Sequence, residues 1–112
     1  MLTVREYLAA DGNSPFREWL EALDVAVRAR IQARVLRFET GNLGDHKRVA
    51  AGIWEARLDF GPGYRIYFGK DGECLVILLA GGTKKRQQKD INDAIGRWQD
   101  YKQRKKKQGG II

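Results

Sequence analysis

The sequence is poor in the residues that most often carry nucleophilic or metal chemistry, because its 112 residues include one cysteine and one histidine. Cys74 cannot form an internal disulfide, and since it begins the apolar run CLVILLA we expect a buried structural thiol. His46 falls in a predicted loop, so neither a Cys–His nucleophile pair nor a zinc cluster is favoured. The segment GGTKKR has neither the Walker spacing nor the dinucleotide pattern, which argues against those nucleotide sites.

Long hydrophobic runs are missing as well. The run CLVILLA, residues 74–80, is far too short to span a bilayer. The N-terminal stretch MLTVREYLAADG carries Arg5 and Glu6 with no apolar core after them, which is unlike a signal peptide. With 43% apolar residues the chain has the composition of one globular domain. We therefore expect a single-domain cytoplasmic protein without a membrane partner.

The excess of positive charge is confined to one segment. Residues 84–107 hold ten Lys or Arg and three Asp, a net charge of +7, whereas the rest of the chain balances eleven basic against eleven acidic residues. A localised basic segment attracts polyanions, because neutralising phosphates releases their counterions. A solvated helix with a basic tail would show the same charge pattern, so the alternative to nucleic-acid contact stays open.

The spacing of apolar residues, caps and turns predicts an α+β domain with the order β-α-α-β-β-β-α and a small, mainly antiparallel sheet. The predicted elements are a strand at 3–8, a helix opened by Ser14 and Pro15, a second helix from Asp24 to Gly41, a loop at 41–52, a hairpin at 53–68, a strand at 74–80 and a last helix after Thr83. The two early helices form a hairpin packed on the sheet. The arginines of the second helix (Arg28, Arg30, Arg34 and Arg37) are expected on its solvated faces.

The hairpin RLDFGPGYRIYF has an apolar face and a polar face. Alternation places Glu55, Arg57, Arg65 and Tyr67 on one side, opposite core residues such as Leu58 and Ile66. Arginine, lysine and tyrosine suit phosphate binding better than acyl transfer or redox chemistry. An exposed ion pair between Glu55 and Arg57 is the simpler interpretation of two members of this face.

The segments IWEARLDFGPGYRIYF and LVILLAGGTKKRQQKDINDA resemble the RelE/ParE superfamily of toxins from bacterial type II toxin–antitoxin systems. They are most similar to its HigB-like branch, the addiction module killer proteins. The resemblance covers nearly the whole chain and implies a RelE-like toxin domain at 1–108. The terminal sequence GGII, residues 109–112, is predicted to be a disordered tail. It also implies a cognate antitoxin as partner, contact with operator DNA only through the antitoxin complex, and no cofactor or metal.

RelE-like and HigB-like members cut mRNA in the ribosomal A site, using the RNA's own 2′-OH as nucleophile. The resemblance thus implies a ribosome-dependent endoribonuclease that inhibits translation. The ParE-like members act on DNA gyrase instead, and an inactive nucleic-acid-binding relative is a third possibility. From the charge pattern alone, we expect the antitoxin to cover the basic groove or the helical hairpin, with acidic residues opposite residues 84–89.

The resemblance assigns site residues one at a time. Arg65 in GYR matches the phosphate-binding strand arginine, Arg57 matches a basic residue on the preceding strand, and Lys84 matches a basic residue after the glycine. The expected RNA-binding residues beside them are Lys85, Arg86 and Lys89. Glu55 stands where RelE is basic, Asp90 stands where RelE has a tyrosine, and the C-terminal histidines of some HigB members have no match. Tyr67 and Asp90 are the candidates left for proton transfer.

Overall fold

The computed structural model of the protein describes residues 1–109, and caps and turns define most of its elements. In chain order these are β1 (Thr3–Glu6), α1 (Pro15–Glu21), α2 (Val25–Glu39), β2 (His46–Ala50), β3 (Ile53–Leu58), β4 (Tyr64–Asp71), β5 (Leu75–Thr83), a 3₁₀ turn (Lys84–Arg86) and α3 (Gln87–Gly109). The predicted tail at 109–112 lies outside the described residues except for Gly109, which is the last residue of α3. No helix in the described part of the chain is long and apolar enough to cross a membrane.

Side-chain caps start the first two helices where the sequence predicts them. Ser14 Oγ accepts a hydrogen bond from the backbone N–H of Arg17 at 3.0 Å, and Pro15 follows at the first helical position. Asp24 Oδ1 accepts from the N–H groups of Ala26 and Val27, which fixes the start of α2. These short-range bonds are read directly from sequence because donor and acceptor are two or three residues apart.

The sheet has five strands in the order β1-β5-β4-β3-β2. Only the β1–β5 pairing is parallel among the described strands, and the other three pairings are antiparallel. The predicted α+β class with a mainly antiparallel sheet is therefore confirmed. Strand β5 lies between β1 and β4, which explains why CLVILLA is apolar on both faces.

Helices cover both faces of this sheet. On one face α1 and α2 pack over Leu58, Ile66, Val76 and Leu78, and on the other α3 packs over Ile53, Tyr67, Ile77 and Leu79. The predicted apolar stripe of the last helix, from Ile91 to Tyr101, belongs to the second core. The polar face of the hairpin therefore lies on the α3 side of the sheet.

Three expectations about this part of the fold are wrong. The predicted loop at 41–52 contains β2, an edge strand whose polar sequence HKRVA gives no period-2 signal and pairs with β3. Cys74 is exposed, because it lies in the turn before β5 begins at Leu75. The first strand ends at Glu6 rather than at Leu8.

Candidate functional site

Arg57 and Arg65 occupy directly opposed positions on β3 and β4, as the hairpin pattern predicts. Arg65 also pairs in register with Gly82 of β5, so it stands near the centre of the sheet rather than at its edge. Their environments differ, since the side chain of Arg57 is 38% exposed and that of Arg65 only 7%. The structure thus brings the two predicted arginines together with one of them open to solvent.

Glu55 forms a buried ion pair with Arg65. Its Oε1 lies 3.7 Å from Arg65 Nε, and Gln87 Nε2 donates a 2.7 Å hydrogen bond to its Oε2. Arg65 Nη1 also donates to the carbonyl of Tyr64 at 3.2 Å. Glu55 is fully buried under α3. The carboxylate therefore connects the strand arginine to the first residue of α3, Gln87.

Arg57 pairs with Asp45, so the interpretation that Arg57 and Glu55 form an exposed ion pair is wrong. Arg57 Nη2 lies 3.2 Å from Asp45 Oδ1, and this hydrogen bond holds the pKa of Asp45 below its ordinary value. The backbone N–H of Arg57 also donates to the carbonyl of Asp45 at 2.9 Å. Asp45 lies in the loop before β2, next to Arg57 of β3. Glu55 is buried beneath α3 and contacts Arg65 and Gln87 instead.

Arg34 fixes the loop that carries Asp45, so it departs from the expectation that the α2 arginines mostly form a solvated face. It is buried, and its guanidinium donates to the carbonyls of Leu43, Asp45 and Arg57, with 2.8 Å bonds to the last two. A signal was present in the sequence. Arg34 stands three residues after Ile31 and four before Phe38, which are both fully buried, so helical spacing places it beside the core stripe.

Lys84 approaches Arg65 at the hairpin turn. The backbone N–H of Lys84 donates to the carbonyl of Gly63 at 2.8 Å. Gly63 has a φ of +80°, and a Cβ built on it would lie 3.4 Å from Lys84 Cβ and 3.5 Å from Arg65 Nη1. A glycine at this turn therefore permits both the backbone conformation and the close approach of the two cationic residues.

Of the two candidates for proton transfer, Tyr67 lies on β4 beneath α3, and Asp90 belongs to the first turn of α3 itself. Tyr67 is fully buried and Asp90 is 9% exposed. A side chain at Gly82 would collide with Asp90 Oδ2, so the GGT sequence leaves the space that this carboxylate fills. Burial raises the pKa of Asp90, and burial together with the charge of Glu55 raises the pKa of Tyr67. Tyr67 is consequently a neutral hydrogen-bond donor at pH 7.

Unsatisfied polar atoms are concentrated at this place. Five buried side-chain atoms in residues 1–109 lack a hydrogen-bond partner, and they belong to Glu55, Arg57, Arg65, Tyr67 and Asp90. We call these five residues the Arg65 cluster. Buried polar groups in native proteins are nearly always paired, so such a concentration is the pattern of a site rather than of ordinary packing.

The remaining predicted residues line the exposed rim of the Arg65 cluster. Lys85 and Arg86 follow Lys84 on the 3₁₀ turn, and Lys89 lies in the first turn of α3, all three being exposed. Lys89 forms a 3.0 Å ion pair with Asp93 one helical turn later. The described residues contain no group of three or more His, Cys, Asp or Glu placed to hold a metal ion. What the site does offer is a cationic rim around a buried acid, which suits an anionic ligand.

Residues 18–99 match the family described as phage-derived Gp49-like proteins (DUF891). The chain belongs to this family. A Haemophilus influenzae Rd relative, itself an uncharacterized protein, is 48% identical over 80 residues, which cover 70% of this chain and 81% of the relative. The Gp49-like family is a toxin-like family related to addiction module killer proteins, and it implies an antitoxin partner. All eight candidate residues lie inside the matched segment.

Proposed function

We propose that this Gp49-like protein is the toxin of a type II toxin–antitoxin pair and that it cleaves mRNA on the ribosome without a metal or other cofactor. The observation that carries the proposal is the meeting of Arg57, Arg65 and Lys84 at one end of the sheet. Cationic side chains on three adjacent segments suit the charge that develops on a phosphorane. The HigB-like resemblance of the same segment supports the choice of RNA as substrate.

The proposed reaction breaks one phosphodiester bond and forms another. The 2′-oxygen attacks the adjacent phosphorus, the bond to the 5′-oxygen breaks, and the products are a 2′,3′-cyclic phosphate and a 5′-hydroxyl. One proton must leave the 2′-OH and one must reach the 5′-oxygen. Arg57, Arg65 and Lys84 neutralise the phosphate oxygens, and arginine's planar fork is suited to binding two of them at once.

We assign proton transfer to Asp90, because it combines a raised pKa with a buried, unpartnered carboxylate oxygen. Tyr67 has no exposed surface, so we propose that it acts as a positioning residue beneath Glu55 and Arg65. Lys85, Arg86 and Lys89 bind the RNA backbone around the site. This sparse acid–base inventory predicts poor cleavage of free RNA, with the ribosome orienting the message.

The partner antitoxin is proposed to cover this same rim. An acidic segment placed against Lys84, Lys85, Arg86 and Lys89 would neutralise their charge and block entry of RNA. We propose that operator DNA is contacted only through the complex of the two proteins. Action on translating ribosomes places the toxin in the cytoplasm.

The test is induced expression in a bacterial host followed by primer extension on several abundant messages. We expect cuts inside translated codons with the wild type, and a loss of cleavage of about a hundredfold or more in the double variant Arg57→Gln, Lys84→Gln. Both residues reach solvent, so the fold should survive. Lys106→Gln, an exposed charge near the end of α3, is the matched control and should cut normally.

Arg65→Ala would test the nuclease poorly, because it is expected to destabilise the fold as well as remove a cation from the site. It would leave Glu55 buried without its cationic partner, a change that typically costs about 3–5 kcal/mol. Arg65→Lys keeps the charge and is the better probe of the guanidinium. Growth arrest with intact messages and a DNA-damage response would contradict the nuclease and favour a ParE-like action on gyrase. Absence of arrest, with RNA binding that weakens steeply in salt, would identify an inactive relative.

A further inference from the structure

A second basic cleft lies on the other side of Arg57. It has a volume of about 290 Å³ and runs between α2 and the end of β3, with Arg30, Arg37, Arg57, Asp59 and Phe60 in its walls. Arg57 belongs both to this cleft and to the Arg65 cluster, so it is the residue that the two sites share. We call it the α2 cleft.

Two arginines in the walls of the α2 cleft have no carboxylate partner within the described residues, whereas Arg57 is paired with Asp45. Arg30 and Arg37 are exposed, and neither forms an ion pair with any of residues 1–109. Arg34 lies in the floor, where its guanidinium is satisfied by backbone carbonyls rather than by an acid. Its charge therefore adds to that of Arg30 and Arg37. Asp59 is the acidic residue in the walls, so the local balance favours an anion.

The α2 cleft also contains an arginine that lies over an aromatic ring. The guanidinium of Arg30 lies over the ring of Phe60, 3.6 Å from its centroid, and Phe60 packs against Tyr64 with their centroids 5.0 Å apart. The ring thus holds the exposed guanidinium in one plane. Unstacked RNA bases bind to arginine planes and aromatic rings of this kind, with little dependence on base identity.

We infer that the α2 cleft is a second subsite for single-stranded RNA. Arg37 and Arg57 bind the phosphate next to the scissile one, and the Arg30–Phe60 pair stacks the unpaired base of that nucleotide. This inference rests on the proposed function, because it extends the RNA path from the Arg65 cluster across Arg57 to α2. An acidic protein segment would be attracted by the charge alone but would gain nothing from the planar surface.

The experiment measures equilibrium binding by fluorescence anisotropy over a range of salt concentrations. The probe is a 2′-O-methylated, single-stranded oligonucleotide of roughly ten nucleotides. Methylation removes the nucleophile, so binding is measured without cleavage. A second probe has the same backbone and no bases. The variants are Arg37→Gln, which removes a charge, and Arg30→Lys, which keeps the charge and loses the plane. Arg28→Gln, on the same helix outside the α2 cleft, is the control.

We expect Arg37→Gln to weaken binding of both probes about tenfold and to reduce the salt slope by about 0.7. Arg30→Lys should keep the slope and lose about fivefold or more only on the probe with bases. Arg28→Gln should bind like the wild type.

The outcomes separate this inference from the proposed function. Variants that bind both probes like Arg28→Gln overturn the α2 cleft as an RNA subsite, even if the wild type cuts messages. The expected losses combined with intact messages support the α2 cleft and overturn the nuclease. Variants that bind both probes normally but fail to bind the antitoxin would show that the α2 cleft belongs to the protein partner, and the inference would be wrong.

Discussion

The arginines of this protein differ in burial and in the groups that they contact, and so they differ in role. Arg34 is buried and organises three carbonyls, Arg65 is buried against Glu55, and Arg57 is half-exposed beside Asp45. Arg30 covers an aromatic ring from the solvent side. The burial of each guanidinium, and whether a carboxylate or a carbonyl satisfies it, decides whether the residue supports the fold or remains available to a ligand.

Replacing Arg34 tests whether its hydrogen bonds to backbone carbonyls stabilise the fold. Arg34→Met keeps most of the aliphatic volume but leaves the carbonyls of Leu43, Asp45 and Arg57 without their donor. We expect the free energy of unfolding to fall by about 3 kcal/mol, measured by urea denaturation. Arg37→Met, exposed on the same helix, should change it by less than about 0.5 kcal/mol. Equal effects of the two substitutions would show that the buried hydrogen bonds of Arg34 do not hold the loop.

At the scale of elements, α3 contacts the sheet through hydrogen bonds, aromatic packing and ion pairs between residues 87 and 105. Gln87 bonds Glu55 at its start, and the ring of Trp98 packs on Gly69, where a side chain would collide with it. Farther along, Tyr101 and Lys105 both donate to Asp71 at 2.7 Å, and Tyr7 donates to Asp100 at 2.6 Å. The helix that covers the Arg65 cluster thus depends on carboxylates at its far end.

Those carboxylates make the docking of α3 sensitive to acid. Hydrogen bonds from Lys105 and Tyr101 lower the pKa of Asp71, so its contribution to stability is complete above the unfolded pKa of about 3.9 and is lost as the pH falls through the lower, folded value. Asp71→Asn should cost about 1 kcal/mol at pH 7 and flatten the loss of stability below about pH 4, because the stabilisation from Asp71 is lost there as the pH falls toward its lowered folded pKa. Urea denaturation at each pH measures this, with the exposed Glu73→Gln as control. Parallel pH profiles for wild type and Asp71→Asn would contradict it.

At the scale of the whole molecule, folding rearranges a charge balance that looks simple along the chain. The sequence outside residues 84–107 sums to zero. The fold nevertheless gathers Arg30, Arg34, Arg37 and Arg57 around one cleft. Basic residues are also exposed at 84–89 and at 102–108 of α3, so the positive charge of the folded molecule is presented at three places.

The basic end of α3 should contribute affinity without contributing chemistry. Lys102, Lys106 and Lys107 are exposed and form no ion pair within residues 1–109. Changing all three to Gln should reduce the salt slope of single-stranded RNA binding by about 2 and leave the positions of message cleavage unchanged. A control triple variant at Arg28, Lys47 and Arg48 removes the same total charge elsewhere and should alter the slope less. Loss of cleavage in the α3 variant would show that this end belongs to the catalytic site.

Local chemistry made much of the fold predictable. The caps at Ser14 and Asp24, the apolar stripe of α3 and the two-faced hairpin all depend on residues within a few positions of one another. Alternation along the hairpin also predicts that Arg57 and Arg65 share one face, and the structure adds that they are directly paired. Strand β2 is not predictable in this way, because an edge strand of polar residues lacks the alternation that identifies a strand.

The sequence by itself determined which side chains share a face of the hairpin and where the helices begin. Only the tertiary structure decided their partners. Glu55 meets Gln87 from 32 positions away and Arg34 meets the carbonyl of Arg57 from 23 positions away, so neither contact follows from spacing. Whether a charged residue is solvated, paired or buried depends on which distant element covers it, and that is settled when α3 and the 43–45 loop pack against the sheet.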